Sequence, residues 1–313
     1  MRDQEKWYGE KTGASDAHPA KIDIVLLAML RASRAMEEDR FLATRLAERR
    51  PAMLDEIARL RPGQVLVDEA TDFSPIQLAC MRNLANSRIG SFFLSGDYNQ
   101  RLTSWGSRSD DELRWVAPDV QIERIDISYR QSRKLAQFAR SLARSQGWSI
   151  EDRPPEHVDN QGWEPVIGCN LSTVADEAHW LASRIREISR LTDDALPTIA
   201  VLVTDPTALD PLADALSEAL EEMNVRAVAC PKGLVKGQVG DVRIFEVEHI
   251  KGLEFEAVFF MDLDGLKLRE PTMFQRYIYV GATRAATFLG LGYRGTEPFI
   301  HPSSPDHVLA SHW

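Results

Sequence analysis

Residues 65–77 read VLVDEATDFSPIQ, and the order of residue types in this stretch decides the fold. Val65, Leu66 and Val67 form a short apolar run, which predicts a strand buried on both faces of a sheet. Residues 74–77 follow with an N-cap serine, a proline at the first helical position and a glutamine three residues after the cap. A buried strand followed by a capped helix is typical of α/β proteins.

Outward from this unit, the chain divides into three predicted segments. Residues 1–61 are predicted to be helical, because the apolar residues that end at Leu60 recur with helical spacing. Residues 62–120 contain the quoted strand and helix, and residues 121–313 alternate strand-like apolar runs with amphipathic helices. Strands separated by amphipathic helices predict parallel sheets with helices on both faces, so the predicted fold class is α/β.

Length and composition indicate a soluble protein with room for two domains. The chain has 313 residues, of which 44% are hydrophobic and 27% charged. No apolar stretch is long enough for a membrane span, and the polar N-terminus does not resemble a signal peptide. The three cysteines lack metal-ligand or disulfide spacing, which favours a reducing, cytoplasmic setting. The net charge of -10 argues mildly against nucleic-acid binding by bulk electrostatics, although basic residues can gather in one channel.

Two polar motifs come directly after predicted strands of the first α/β segment. Asp68 and Glu69 are adjacent carboxylates, which suit ATP hydrolysis: one can associate with Mg²⁺ and the next can accept a proton from water. Gln100 ends the string LSGDYNQ and can hydrogen-bond a γ-phosphate or the attacking water. Taken alone, the acidic pair could equally start a loop, and the glycine, aspartate and asparagine before Gln100 also favour a surface turn.

Further candidate residues lie along the rest of the chain. Arg130 in SYR and Arg284 in YVGATRA could stabilise charge on a phosphate, although each alone could be a surface ion-pair partner. In the string KGLEF, Gly252 permits close backbone approach and Glu254 could accept ribose hydroxyls. Trp105 is either an ordinary partly buried aromatic or a platform on which a base stacks.

The motifs occur in the order DEATDFSP, LSGDYNQ, SYRQS, KGLEFEAV and YVGATRA. This order resembles motifs II to VI of the UvrD/Rep/PcrA-like branch of superfamily 1 DNA helicases, over roughly residues 62–295. The resemblance implies RecA-like lobes of the P-loop NTPase type: a partial first lobe at 62–120, a complete second lobe at 121–313, and residues 1–61 as the tail of an insertion. It also implies ATP and Mg²⁺ as cofactors, single-stranded or partly duplex DNA as partner, and movement in the 3′ to 5′ direction.

The resemblance assigns a role to each matching residue. The hydrolytic set is matched by Asp68 (also the Mg²⁺-associated acid), by Glu69 as catalytic base and by Gln100. The γ-phosphate contacts are matched by Arg130 and Arg284. The nucleoside contacts are matched by Tyr129, Gly252 and Glu254, and the DNA contacts by Trp105 and His249.

One family motif, the phosphate-gripping GxxxxGK[ST] loop, does not occur in the sequence; the nearest string, YGEKTG at residues 8–13, has no strand before it. Thr103 and the run before Lys251 also depart from the family pattern, which weakens the expected DNA contacts. We therefore keep three alternatives. The chain is the C-terminal portion of a helicase, a non-hydrolysing module that binds DNA or a partner, or half of a split motor. The first is favoured because the other motif residues are retained.

Overall fold

A computed structural model describes residues 19–39, 56, 59–86, 88–103, 105–125, 131–148, 161–296 and 310–313. The chain divides into two units, residues 1–123 and 124–313. Within the predicted helical segment 1–61, residues 19–38 are helical, whereas most of residues 40–58 lie outside the described residues. None of the described helices is both long enough and apolar enough to cross a membrane.

The first unit is a small α/β layer. Two parallel strands pair along their whole length, with Val67 opposite Leu94 at their carboxyl ends. Helices pack against one face of this sheet around the buried side chains of Leu27 and Leu78. Its elements are α1 (Pro19–Glu38), β1 (Gln64–Val67), α2 (Pro75–Leu84), β2 (Ser91–Leu94) and α3 (Asp110–Val116).

The predicted beginning of α2 is confirmed. The backbone N–H of Gln77 donates to Ser74 Oγ over 3.2 Å, and the backbone N–H of Ser74 donates to Gln77 Oε1 over 3.0 Å. This reciprocal capping box, with Pro75 at the first helical position, fixes where the helix begins.

The predicted burial of β1 on both faces is wrong. Val67 is buried, but Leu66 is 66% exposed, and its partner in β2, Phe93, is 57% exposed. In a strand, successive side chains point to opposite faces, and the helices of this unit pack against one face. A three-residue apolar run therefore did not reveal that the second face is open to solvent.

The second unit contains a six-stranded sheet in which all strands are parallel, in the order β3-β8-β7-β4-β6-β5. Helices flank the sheet, and the predicted α/β fold class is confirmed. Its elements are α4 (Arg133–Ser145), β3 (Val166–Gly168), α5 (Val174–Leu191), β4 (Ile199–Val203), α6 (Leu209–Ala219), β5 (Ala227–Ala229), β6 (Val242–Glu246), β7 (Phe255–Phe260), α7 (Leu263–Arg269), α8 (Phe274–Thr283) and β8 (Ala285–Gly292).

Helices cover both faces of this sheet. Side chains of α5 and α6 join Val201 and Phe259 in one core cluster. On the opposite face α8 approaches so closely that a Cβ on Gly281 would lie 2.8 Å from a ring carbon of Phe260 and 3.3 Å from Leu202. The central strands are therefore buried on both sides, which explains their nearly continuous apolar sequences.

The connections that leave the two central strands diverge. From β4 the chain passes through α6 towards β5, whereas from β7 it passes through α7 and α8 in the opposite direction to β8. Because β4 and β7 are neighbours, their diverging connections leave a crevice at their carboxyl ends. Ligands of open α/β sheets bind at this kind of topological switch point.

Two leucine-to-alanine substitutions test this core. Leu181 on α5 is fully buried in the cluster, so Leu181→Ala should lower the free energy of unfolding by about 2–5 kcal/mol through lost burial and a residual cavity. Leu268→Ala on α7 should change it by less than about 0.5 kcal/mol, because that side chain is 84% exposed. Denaturant unfolding followed by circular dichroism measures both. Equal effects would contradict the described packing.

Candidate functional site

Asp68 and Glu69 directly follow β1, and Ser95 directly follows β2, so the three residues meet at one edge of the small sheet. Ser95 Oγ donates to Asp68 Oδ1 over 2.7 Å, and the backbone N–H of Glu69 donates to the same oxygen over 2.9 Å. Glu69 adopts a left-handed conformation with φ 51°, which is uncommon for a residue with a side chain.

The segments after the two strands are joined by hydrogen bonds. Thr71 Oγ1 donates to the carbonyl of Asp97 over 3.0 Å, and Thr103 Oγ1 donates to the carbonyl of Asp72 over 3.1 Å. Gly106 lies so close to the same segment that a Cβ there would be 2.1 Å from the carbonyl oxygen of Thr71. The DEATDF and LSGDYNQ motifs thus form one connected surface at the carboxyl ends of β1 and β2.

Gln100 and Trp105 lie on this connected surface. Gln100 ends a 3₁₀ turn that Asp97 caps, because Asp97 Oδ1 accepts the N–H of Asn99 over 2.8 Å. Trp105 is half-buried. Asp68 is an exposed carboxylate at a strand end, a fitting donor for Mg²⁺, which usually keeps several water ligands. Within the described parts of the chain, no three His, Cys, Asp or Glu side chains gather as a metal-binding group.

In the second unit, Glu254 and Arg284 come together at the amino ends of β7 and β8. The N–H of Phe255 donates to the carbonyl of Arg284 over 3.0 Å, so the residue before Phe255 and the arginine lie on adjacent chain segments. Glu254 is exposed, whereas Arg284 is 4% exposed. Gly252 has φ 78°, which L side chains rarely adopt, so the turn before β7 requires glycine.

Gln131 is a further functional candidate of this region, which the motif pattern alone did not indicate. Its Nε2 donates to the carbonyls of Ala282 and Ala285, each over 2.9 Å, and these carbonyls flank Arg284. The N–H of Ser132 also donates to the carbonyl of Ala286 over 2.7 Å. The end of the SYRQS motif is therefore fixed to the YVGATRA motif. A glutamine beside a predicted phosphate-contacting arginine was the available signal.

Tyr129 and Arg130 lie outside the described residues. The sequence also led us to expect that Asp68, Gln100, Arg130 and Arg284 converge on one cleft. That expectation stays a prediction, since the first two residues belong to one unit and the last two to the other.

A cluster of charged side chains occupies the crevice at the carboxyl ends of β4 and β7. Asp262 Oδ2 accepts Arg269 Nη2 over 2.8 Å, and Asp262 Oδ1 lies 3.1 Å from Arg294 Nε. Thr204, the first residue after β4, donates its hydroxyl to Asp262 Oδ2 over 3.3 Å. Arg294 also lies 3.5 Å from the buried Glu177 Oε1. These residues belong to none of the motifs, and strand order, which brings them together, cannot be read from a single sequence.

Burial and hydrogen bonding shift the pKa values of two acids in this crevice in opposite directions. Burial raises the pKa of Glu177, and the neighbouring Arg294 offsets part of that effect. The pKa of Asp205, which follows Thr204, is lowered chiefly by hydrogen bonds from Thr207 and further by the charges of Arg269 and Arg294. The crevice therefore presents two arginines among acids rather than a uniformly basic patch.

His249 lies in the short 3₁₀ turn after β6. Its Nε2 is 3.0 Å from Glu246 Oε2, and the same carboxylate oxygen accepts the N–H of Lys232 over 3.3 Å. His249 is thus held at the carboxyl end of β6, on the same side of the sheet as the crevice.

Residues 241–291, which run from β6 to β8, match the family model of the UvrD-like helicase C-terminal domain. This segment contains the KGLEFEAV and YVGATRA motifs, and the predicted UvrD-type kinship is confirmed there. The second unit is accordingly helicase-like. No curated protein matches this chain.

Solved structures with similarity to this chain include a domain of a possible DNA helicase and a viral helicase. One is the C-terminal domain of a possible DNA helicase from Lactobacillus plantarum WCFS1, with 16% identity and a TM-score of 0.40, covering 59% of this chain and 99% of that chain. The other is arterivirus nonstructural protein 10, a helicase, in complex with DNA, with 16% identity and a TM-score of 0.37. That match covers 77% of this chain and 42% of that chain.

A substitution at Gln131 tests the connection between the two motifs. Gln131→Leu keeps the approximate size but removes the side-chain donor that bonds both carbonyls, so it should lower the free energy of unfolding by about 1–3 kcal/mol. Gln146→Leu is the matched control, because Gln146 is exposed at the end of α4 and bonds a neighbouring serine. Chemical unfolding measures both variants. A Gln131→Leu protein as stable as its control would contradict the described bonds.

Proposed function

We propose that this protein is part of a UvrD-type DNA helicase that couples ATP hydrolysis to 3′ to 5′ movement on single-stranded DNA. The observation that carries the proposal is the match of residues 241–291 to the UvrD-like helicase C-terminal domain, because that segment includes Glu254 and Arg284. In this proposal the cofactors are ATP and Mg²⁺, and the reaction takes place in the cytoplasm.

The nucleotide roles follow from chemistry that the described residues can perform. Asp68 would associate with Mg²⁺ through an exposed carboxylate, and Glu69 would accept a proton from the attacking water. Gln100 would sense the γ-phosphate from the connected surface beside them. In the second unit, Arg284 would neutralise charge on the γ-phosphate, and Glu254 would accept ribose hydroxyls, both from the amino ends of β7 and β8.

Single-stranded DNA is assigned to the opposite edge of the second sheet, at the carboxyl ends of its strands. Arg269 and Arg294 present partly exposed guanidinium groups in the crevice between β4 and β7, with side chains 36% and 47% exposed. Arginine forks match the geometry of phosphate oxygens. His249 extends the same edge at β6, and Trp105 of the first unit supplies a candidate surface for base stacking.

The missing phosphate-binding loop supports a second candidate function. Without the backbone N–H groups and lysine of that loop, ATP lacks its largest set of favourable contacts. The protein would then act as a helicase-like module that binds DNA or a protein partner without hydrolysis, or would use a P-loop on another chain. The DNA surface of the second unit is common to these functions.

An ATPase assay separates hydrolysis by this chain from its alternatives. Because the 313 residues contain no GxxxxGK[ST] loop, the purified protein should release no phosphate above background, with or without single-stranded DNA. The matched variant is Glu69→Gln, which removes the proposed base. DNA-stimulated phosphate release that disappears in this variant would overturn the expectation and make the chain a motor by itself.

Two arginine substitutions test the DNA surface. Arg269→Ala and Arg294→Ala should each weaken binding of a fluorescent oligothymidylate about tenfold, because each removes charged hydrogen bonds to phosphate. Each should also reduce the slope of log affinity against log salt concentration by about one. Arg190→Ala is the control, since this exposed arginine ends α5 at the opposite edge of the sheet. Fluorescence anisotropy measures all three. Equal losses of DNA affinity in all three variants would exclude the crevice as the binding surface.

A further inference from the structure

Asp262 bridges two arginines with one carboxylate. Its Oδ2 accepts Arg269 Nη2, and its Oδ1 faces Arg294 Nε, so each oxygen serves a different guanidinium group. Arg269 Nη2 also contacts the hydroxyl of Thr204. Because one rigid carboxylate group spans both arginines, it sets the distance and orientation between them.

The carboxylate of Asp262 is itself held in place. The residue is 6% exposed and lies two residues after β7 in a left-handed conformation with φ 53° and ψ 47°. Its Oδ1 accepts the N–H of Gly265 over 3.2 Å, which caps the beginning of α7. The hydroxyl of Thr204 reaches Oδ2 from β4. The position of the carboxylate therefore follows from the backbone of two central strands.

Burial differs sharply between the acid and its two partners. Here the acid is buried, whereas the arginine side chains remain 36% and 47% exposed. Asp262 contacts one nitrogen of each arginine, Nη2 of Arg269 and Nε of Arg294, whereas a guanidinium group carries five N–H donors. The bond to Asp262 therefore orients the other N–H donors of each guanidinium group.

We propose that Asp262 is a positioning residue that holds Arg269 and Arg294 as a preorganised pair for the phosphodiester backbone of single-stranded DNA. This inference rests on the proposed DNA surface at the carboxyl ends of β4 and β7. Preorganisation lowers the entropy that two flexible side chains lose when they bind phosphate. The pair then reads the backbone rather than the bases, as a translocating protein requires.

The direction in which one substitution changes DNA affinity distinguishes positioning from bulk electrostatics. Removal of an acid from a DNA-binding surface strengthens binding if charge alone matters, because repulsion of the phosphates decreases. If Asp262 positions the arginines, its removal weakens binding although the surface becomes more positive. The two explanations thus predict opposite changes in affinity.

The experiment uses Asp262→Asn in the full chain. Asparagine tolerates the left-handed conformation and caps helices well, so the fold is preserved while the charged bridge is lost. Anisotropy with fluorescent oligothymidylate should show about tenfold weaker binding and a salt slope reduced by about one. Asp205→Asn is the matched control: it removes the same charge at the same edge, where the carboxylate bonds Thr207 rather than an arginine. It should bind as tightly as the unmodified protein, or more tightly.

A double-mutant cycle shows whether Asp262 acts through the arginines. In an Arg269→Ala/Arg294→Ala background, Asp262→Asn should have no further effect on DNA affinity, a result that a general structural role would not give. Thr204→Val provides a second variant if Asp262→Asn does not fold, and it should weaken binding in the same direction. Affinity of Asp262→Asn equal to or above that of the unmodified protein would overturn the inference. Failure of the unmodified protein to bind oligothymidylate would instead refute the proposed function.

Discussion

The parallel alignment of β4 and β7 is the constraint on which the second unit depends. Met261 N–H donates to the carbonyl of Leu202 over 2.9 Å, so both strands end at one level. Their connections leave in opposite directions, from β4 towards β5 and from β7 towards β8. Polar residues that follow these strands therefore lie in contact: the hydroxyl of Thr204, after β4, donates to Asp262, after β7. The arginines of α7 and of the segment after β8 complete the group.

Local sequence was sufficient to predict elements whose signals are local. The capping residues Ser74 and Gln77 predicted the beginning of α2, where the structure shows the reciprocal capping box. The same reasoning failed at Leu66, because burial of the second face of a strand depends on what packs there. A short apolar run looks alike whether one face is covered or two.

Motif order identified candidate residues but did not reveal the contacts that hold them in place. Asp68, Gln100, Glu254 and Arg284 could be named from the residues and their resemblance, although their roles stay predictions. Gln131 was missed although it follows Arg130, because the two carbonyls that it bonds are more than 150 residues away in sequence. The Asp262 bridge likewise depends on strand order. Contacts between segments that are distant along the chain cannot be read from a single sequence.

The open face of the first unit has a consequence for handling the protein. Leu66 and Phe93 stand side by side on neighbouring strands and face solvent, while a two-stranded parallel sheet also leaves both outer edges unpaired within the described residues. Apolar side chains beside free edges form a template for association with other chains. We expect self-association at high concentration to start at this face. A polar substitution at Phe93 should reduce it and so help crystallisation.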